Sequence, residues 1–177
     1  MNKWIIGVLV ILAILVGGFF ALNSYIYEEK QAPAAAEYQD AEFFIEGAYV
    51  RFGEETHYFG NELKTDLDGD GREDVAFIAT HEPGGSGTFY YVVAALNTER
   101  GYVGSDGYLL GDRIASQNIT LSPNPRHKNV IVANYAERAA GEPMTAQPSV
   151  GKSVYLKIDP SSRMWGIVEP DFEGESR

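Results

Sequence analysis

The amino-acid sequence predicts a mainly β protein, in which an N-terminal transmembrane helix precedes a compact all-β domain built as a sandwich or barrel over residues 42–169. Three observations carry this reading. Residues 4–22 (WIIGVLVILAILVGGFFAL) run for 19 positions without a charge. From Glu42 onward, short apolar runs rich in β-branched and aromatic residues alternate with Gly, Pro, Asn and Asp, the punctuation of strands and turns. The 177 residues are 45% apolar and include no cysteine, so one core held by packing, without a disulfide framework, is what the chain can build.

At 1.5 Å rise per residue, a helix over residues 4–22 is roughly 28 Å long, the thickness of a bilayer's hydrocarbon layer. The competing reading is a cleaved secretory signal. Its apolar region normally spans only about 7–15 residues, with a small-residue cleavage site close behind. Here the alanine-rich PAAAE begins only at Pro33, so an uncleaved anchor is expected, with the lipid bilayer as partner of residues 4–22. Lys3 precedes the span and Glu28 and Glu29 follow it, which orients the C-terminal domain outside the cytoplasm of a single-pass cell-membrane protein. Ala13, Gly17 and Ala21 repeat every four residues, a ridge on which two such helices can approach, although small residues are ordinary in membrane spans. Residues 1–22 thus form a cytoplasmic stub and anchor. Residues 23–41 (NSYIYEEKQAPAAAEYQDA) read as a juxtamembrane linker that loosens at Pro33.

Within the domain, FFIEGAYVRF predicts a hairpin turning at Glu46-Gly47. VAFIAT (75–80) and TFYYVVAALN (88–97) lack polar alternation, so both are expected to be buried on two faces at the centre of the fold. Further strands are expected near 108–114, 119–122, 130–135, 153–158 and 165–168. The acidic motif described next occurs once, which excludes a propeller made of its copies. The acidic tail, 170–177, is expected to be disordered.

The stretch TDLDGDGREDVAF places carboxylates at Asp66, Asp68 and Asp70, a glycine at the sixth position, the backbone carbonyl of Arg72 at the seventh and Asp74 at the ninth. That is the order of a calcium loop, in which alternate short carboxylates on a tight turn converge on a cation needing six to eight oxygens at about 2.3–2.6 Å. Without a cation, five acids in residues 66–74 face one Arg72. The twelfth position, where a helix-loop-helix hand supplies a bidentate glutamate, is Phe77, and the residues after the loop read as strand. The loop resembles the DxDGDGxxD loops of integrin-type β repeats, in which the ninth aspartate completes the shell and a strand follows at once. That resemblance implies Asp66, Asp68, Asp70 and Asp74 as side-chain ligands of Ca2+. Magnesium is disfavoured by its stricter octahedral demand. A solvated Asp/Gly turn satisfied by its own backbone bonds is the plain alternative. A catalytic carboxylate pair would need one member in an apolar pocket, and the three leading aspartates share a hydrophilic loop.

Other candidates are weaker. HEPGGSGT (81–88) lacks the lysine of a phosphate loop and the last glycine of a serine elbow, so it reads as a flexible connection. His57, His81 and His127 have no metal-ligand spacing. Asp112-Arg113 and Glu137-Arg138 read as internal ion pairs, with an Arg-lined acidic-ligand site as the alternative. Tyr90, Tyr91, Tyr108, Tyr135 and Trp165 read as core, with an aromatic sugar-binding face as the alternative. The sequon Asn118-Ile119-Thr120 matters only in a glycosylating host. Lys and Arg number 14 against 25 Asp and Glu; the net charge of −11 repels phosphates and excludes nucleic acid as a partner.

The order NELKTDLDGDGREDVAF, GGSGTFYYVVAALNT, GYVGSDGYLLGDRIA, VIVANYAERAAGEPM and QPSVGKSVYLKID, with the ALNSYIYEEKQA junction, resembles a group of small membrane-anchored bacterial envelope proteins to which no activity is attached. The resemblance implies an anchored extracytoplasmic domain and adds no chemistry. The connection over residues 51–57 is short here. The functional expectation is a non-enzymatic envelope protein that binds or scaffolds a protein or glycan ligand at the cell surface. An anchored hydrolase of envelope polymers using Asp112, Glu137 or a histidine, or a subunit of an envelope assembly, are the alternatives.

Overall fold

The computed structural model describes Val16, Gly18 and residues 34–170. Val16 and Gly18 are helical; the rest of the expected span 4–22, most of the linker and the tail after Pro170 lie outside the described residues. Among the described residues no helix is long and apolar enough to cross a membrane. The chain divides into two units, Met1–Ala32 and Pro33–Arg177; the following concerns the second.

A short 3-10 turn, Tyr38–Asp40, leads into a hairpin of β1 (Phe43–Ile45) and β2 (Ala48–Val50). The turn falls at Glu46-Gly47, as the sequence predicts, with φ of 51° and 84°. Left-handed conformation at both central residues makes the two-residue turn whose twist matches its strands, and glycine takes the second position without strain. The Tyr91 hydroxyl donates to Glu46 Oε1 at 2.7 Å and fastens the hairpin to the sheet beneath.

That sheet is a meander of β3 (Thr56–Thr65), β4 (Asp74–His81) and β5 (Phe89–Thr98), followed by β6 (Gly101–Gly104) and β7 (Tyr108–Asp112). β6 pairs with the end of β5 at Ala95 to Thr98, and β7 with its start at Phe89 to Val92. A second antiparallel sheet holds β8 (Ala115–Leu121), β9 (Val130–Glu137), β10 (Val150–Ile158) and β11 (Trp165–Ile167) in the order β11-β10-β9-β8. The two sheets share one apolar core.

β4 is buried at every position and β5 through its middle, as their unbroken apolar runs predict. Ala76, Ile78, Val92, Ala94 and Leu96 face the second sheet and share a core with Ile119, Ile131, Ala133, Leu156 and Ile158. The other face, Val75, Phe77, Ala79, Val93 and Ala95, is covered by Ala41, Phe43 and Ile45. Residues 35–41, read from sequence as the end of the linker, therefore belong to the packed domain. Ala35 exchanges backbone hydrogen bonds with Tyr102 at 2.8 and 2.7 Å, and Ala41 is fully buried.

Candidate metal site

The acidic motif is the β3–β4 hairpin loop. Thr65 and Asp74 face each other across the ladder, so residues 66–73 form the excursion between them. Leu67, at its second position, is 1% exposed and is part of the inter-sheet core, which roots the loop in the domain. Gly69 and Gly71 have φ of 88° and 86°, a region that side chains with a Cβ enter only with strain.

The carboxylates hold the turn from within. Asp66 accepts the N–H of Gly69 through Oδ1 at 2.6 Å and that of Gly71 through Oδ2 at 3.0 Å. Asp68 Oδ1 accepts from Asp70 N at 3.0 Å. Asp74, with no exposed surface, accepts Leu67 N through Oδ2 at 2.8 Å and Asn97 N through Oδ1 at 2.7 Å. It ties the loop to the end of β5. Burial is the main cause that raises the Asp74 carboxyl above its ordinary value, against the pull of those two N–H groups; Asp68 and Asp70 add repulsion. Asp68 is raised in the same way, chiefly by burial and further by Asp70 and Asp66.

Asp66, Asp68 and Asp74 each offer an oxygen, all lying within 4.8 Å of one another. Among the described residues this is the only convergence of three or more potential metal-ligating side chains. Asp70 is placed differently. Its Oδ2 is in a close ion pair with Arg72 Nη2 and its Oδ1 accepts the Arg72 N–H at 2.8 Å. Arg72 Nε in turn donates to the carbonyl of Asn97 at 2.6 Å. A hard cation fits this donor set, since every converging atom is a carboxylate oxygen and each retains a lone pair beyond its N–H partner. Asp70 would join by exchanging Arg72 for the ion. Two residues outside the motif complete the surroundings. Asn97 donates its N–H to Asp74 and accepts from Arg72 at its carbonyl, and the Asn129 amide lies so close to Gly69 that an added Cβ would stand 3.3 Å from it. Only the fold brings them there, and no spacing in the sequence announces either.

The remaining candidates occupy separate places. His81 is buried, with Nδ1 2.8 Å from Thr56 Oγ1. In the β8–β9 connection, Asn124 Nδ2 lies 3.3 Å from His127 Nε2 and Ser122 Oγ lies 2.8 Å from Nδ1. Asp112 forms a forked pair with Arg113, which holds its carboxyl below the ordinary value. Glu137 pairs with Lys152 at 3.2 Å, and Arg138 caps the carbonyls of Arg113 and Ala146. Tyr91 is core, while Tyr90, Tyr108, Tyr135 and Trp165 pack at the margin of the inter-sheet cluster.

Fold and site together define the protein as a mainly β domain with an aspartate-rich hairpin loop. No family model, curated protein or solved structure matches the chain.

Proposed function

We propose that this protein is a membrane-anchored extracytoplasmic domain of the bacterial envelope, non-enzymatic, whose fold is locked by calcium in the loop 66–74 and whose role is binding or scaffolding at the cell surface. The observation that carries the metal half is the meeting of Asp66, Asp68 and Asp74 within 4.8 Å on a hairpin loop rooted in the core by Leu67. Like charges brought this close repel, and a divalent ion with oxygen preference relieves that repulsion while cross-linking the loop to the buried Asp74. Asp66, Asp68 and Asp74 would hold the ion first, with Asp70 and the Arg72 carbonyl completing the shell. The ion supplies charge neutralisation and rigidity.

Thermal unfolding in calcium and in chelator tests this reading. For a site with dissociation near 10⁻⁴ M, about 1 mM calcium adds roughly 1.4 kcal/mol and raises the midpoint by about 3–6 °C. Asp66→Ala and Asp70→Ala should each abolish that shift. A midpoint indifferent to calcium in a folded protein would leave the motif a solvated turn. The anchor half rests on the uncharged run at 4–22; full-length protein should stay with membranes through alkaline carbonate and leave only in detergent.

A further inference from the structure

On the outer face of the first sheet, away from the aspartate loop, a cleft of about 420 Å³ is lined by Gln39, Asp40, Arg51, Phe52 and Tyr58. Its volume falls in the range of small-ligand sites. Phe52 and Tyr58 supply the aromatic part of its lining. The Phe52 ring is stacked on Phe43 at 5.4 Å and braced by Phe77 at 5.9 Å and Tyr58 at 6.0 Å. Tyr58 is fixed in turn by its hydroxyl, which donates to Glu62. Rings held in place before a ligand arrives lose little entropy on binding. The rim is planar and polar: the Arg51 guanidinium, anchored through Nε to Glu42 at 3.0 Å, the Asp40 carboxylate, and the Gln39 amide, which donates to Tyr38 Oη at 3.3 Å. Asp40 and Arg51 are both exposed.

We propose that this cleft binds a neutral carbohydrate. A pyranose ring has one apolar face of C–H groups and a belt of hydroxyls that both donate and accept. An aromatic lining with guanidinium, carboxylate and amide groups at its edge matches both features, since each planar group can span neighbouring hydroxyls. Other ligand classes fit less well. A phosphate or acidic sugar meets Asp40 and a chain of net charge −11, a cation meets Arg51, and an acyl chain meets a polar, open rim. The inference rests on the reading above only in taking the domain as a binding module; it is independent of calcium.

The test uses the full chain in a sugar-free zwitterionic detergent, with chitotetraose, cellotetraose and maltotetraose as probes in saturation-transfer NMR and calorimetric titration. At least one probe should bind, and Asp40→Ala and Arg51→Ala should each weaken it by about tenfold or more, the worth of a charge-assisted hydrogen bond. Unfolding midpoints should stay near wild type, because both side chains are exposed. Absence of binding by all three sugars to the folded chain overturns the proposal. A sugar bound equally well by both variants also overturns the cleft, while leaving a binding role for the domain intact. The calcium shift of the midpoint, read on the same samples, reports separately on the loop.

Discussion

Asp74 is the residue at which the acidic loop and the sheet become one structure. Its two oxygens take backbone N–H groups from opposite sides, Leu67 in the loop and Asn97 at the end of β5, and it has no exposed surface. Removing an acceptor from a buried donor costs about 1–3 kcal/mol, and here two donors depend on one side chain. Relief of the buried charge offsets part of that. Asp74→Ala is therefore expected to destabilise the protein by about 2 kcal/mol even in chelator, measured by urea unfolding. Asp66→Ala, whose partners Gly69 and Gly71 are exposed, should lose much less in chelator and differ from wild type mainly in calcium. Equal losses for the two variants in chelator would mean that Asp74 is no more structural than its neighbours. The motif itself was legible, because short carboxylates and glycines at fixed offsets are local properties of the chain. The tie of Arg72 to the Asn97 carbonyl, and that of the Asn97 N–H to Asp74, depend on a strand more than 20 residues away, and local spacing carries no trace of either.

At the scale of elements, the chain leading into the β1–β2 hairpin comes close against the edge at β6. A Cβ added at Gly104 would stand 2.1 Å from the carbonyl oxygen of Glu42 and 2.8 Å from the Phe43 ring. The hairpin cannot step back. Phe44 N donates to Ser105 O at 3.1 Å and Gly107 N donates to Phe44 O at 2.8 Å, which pins it on the β6–β7 connection. Ser105 itself is buried and bridges the strands, accepting Ala94 N at 2.8 Å and donating to the Asp106 carbonyl at 2.8 Å. Gly104→Ala should thus destabilise by about 1–3 kcal/mol or more through overpacking against backbone, read as a lowered denaturation midpoint. An unchanged midpoint would show that the hairpin rides loosely. The central strands were readable because two-sided burial leaves unbroken apolar runs. β3 was not, because it is an edge strand with polar outward positions. Gly60 and Asn61, at φ of 116° and 56°, also shift its register twice and break the two-residue period. β6, four residues with a glycine at each end, has no pattern long enough to detect.

For the whole molecule, the consequential feature is that the domain does not begin where its strands begin. Residues 35–41 lie across the outer face of the first sheet as a strap, with the Tyr38 ring 5.8 Å from Phe77 and 6.1 Å from Tyr102. The lock is Glu62 on β3, which accepts the hydroxyls of both Tyr38 and Tyr58. Those two hydrogen bonds, Tyr38 first, hold the Glu62 carboxyl below its ordinary value of 4.5. A carboxyl depressed in the folded state adds stability that is present above the unfolded value and is lost as pH falls through the folded one. The strap should therefore weaken below about pH 4.5, the ordinary glutamate value. Glu62→Gln keeps an acceptor for the tyrosines and removes the titration, so its stability should be slightly lower at neutral pH and fall less steeply in acid. Asp112, depressed by Arg113, keeps some acid dependence in both proteins, so the slope should shrink without vanishing. Denaturation midpoints of the full chain and the variant, taken from pH 7 downward, decide it. Parallel curves would mean that the tyrosine–glutamate tie carries no free energy and that the strap is held by Ala35, Ala41 and the Tyr38 ring alone.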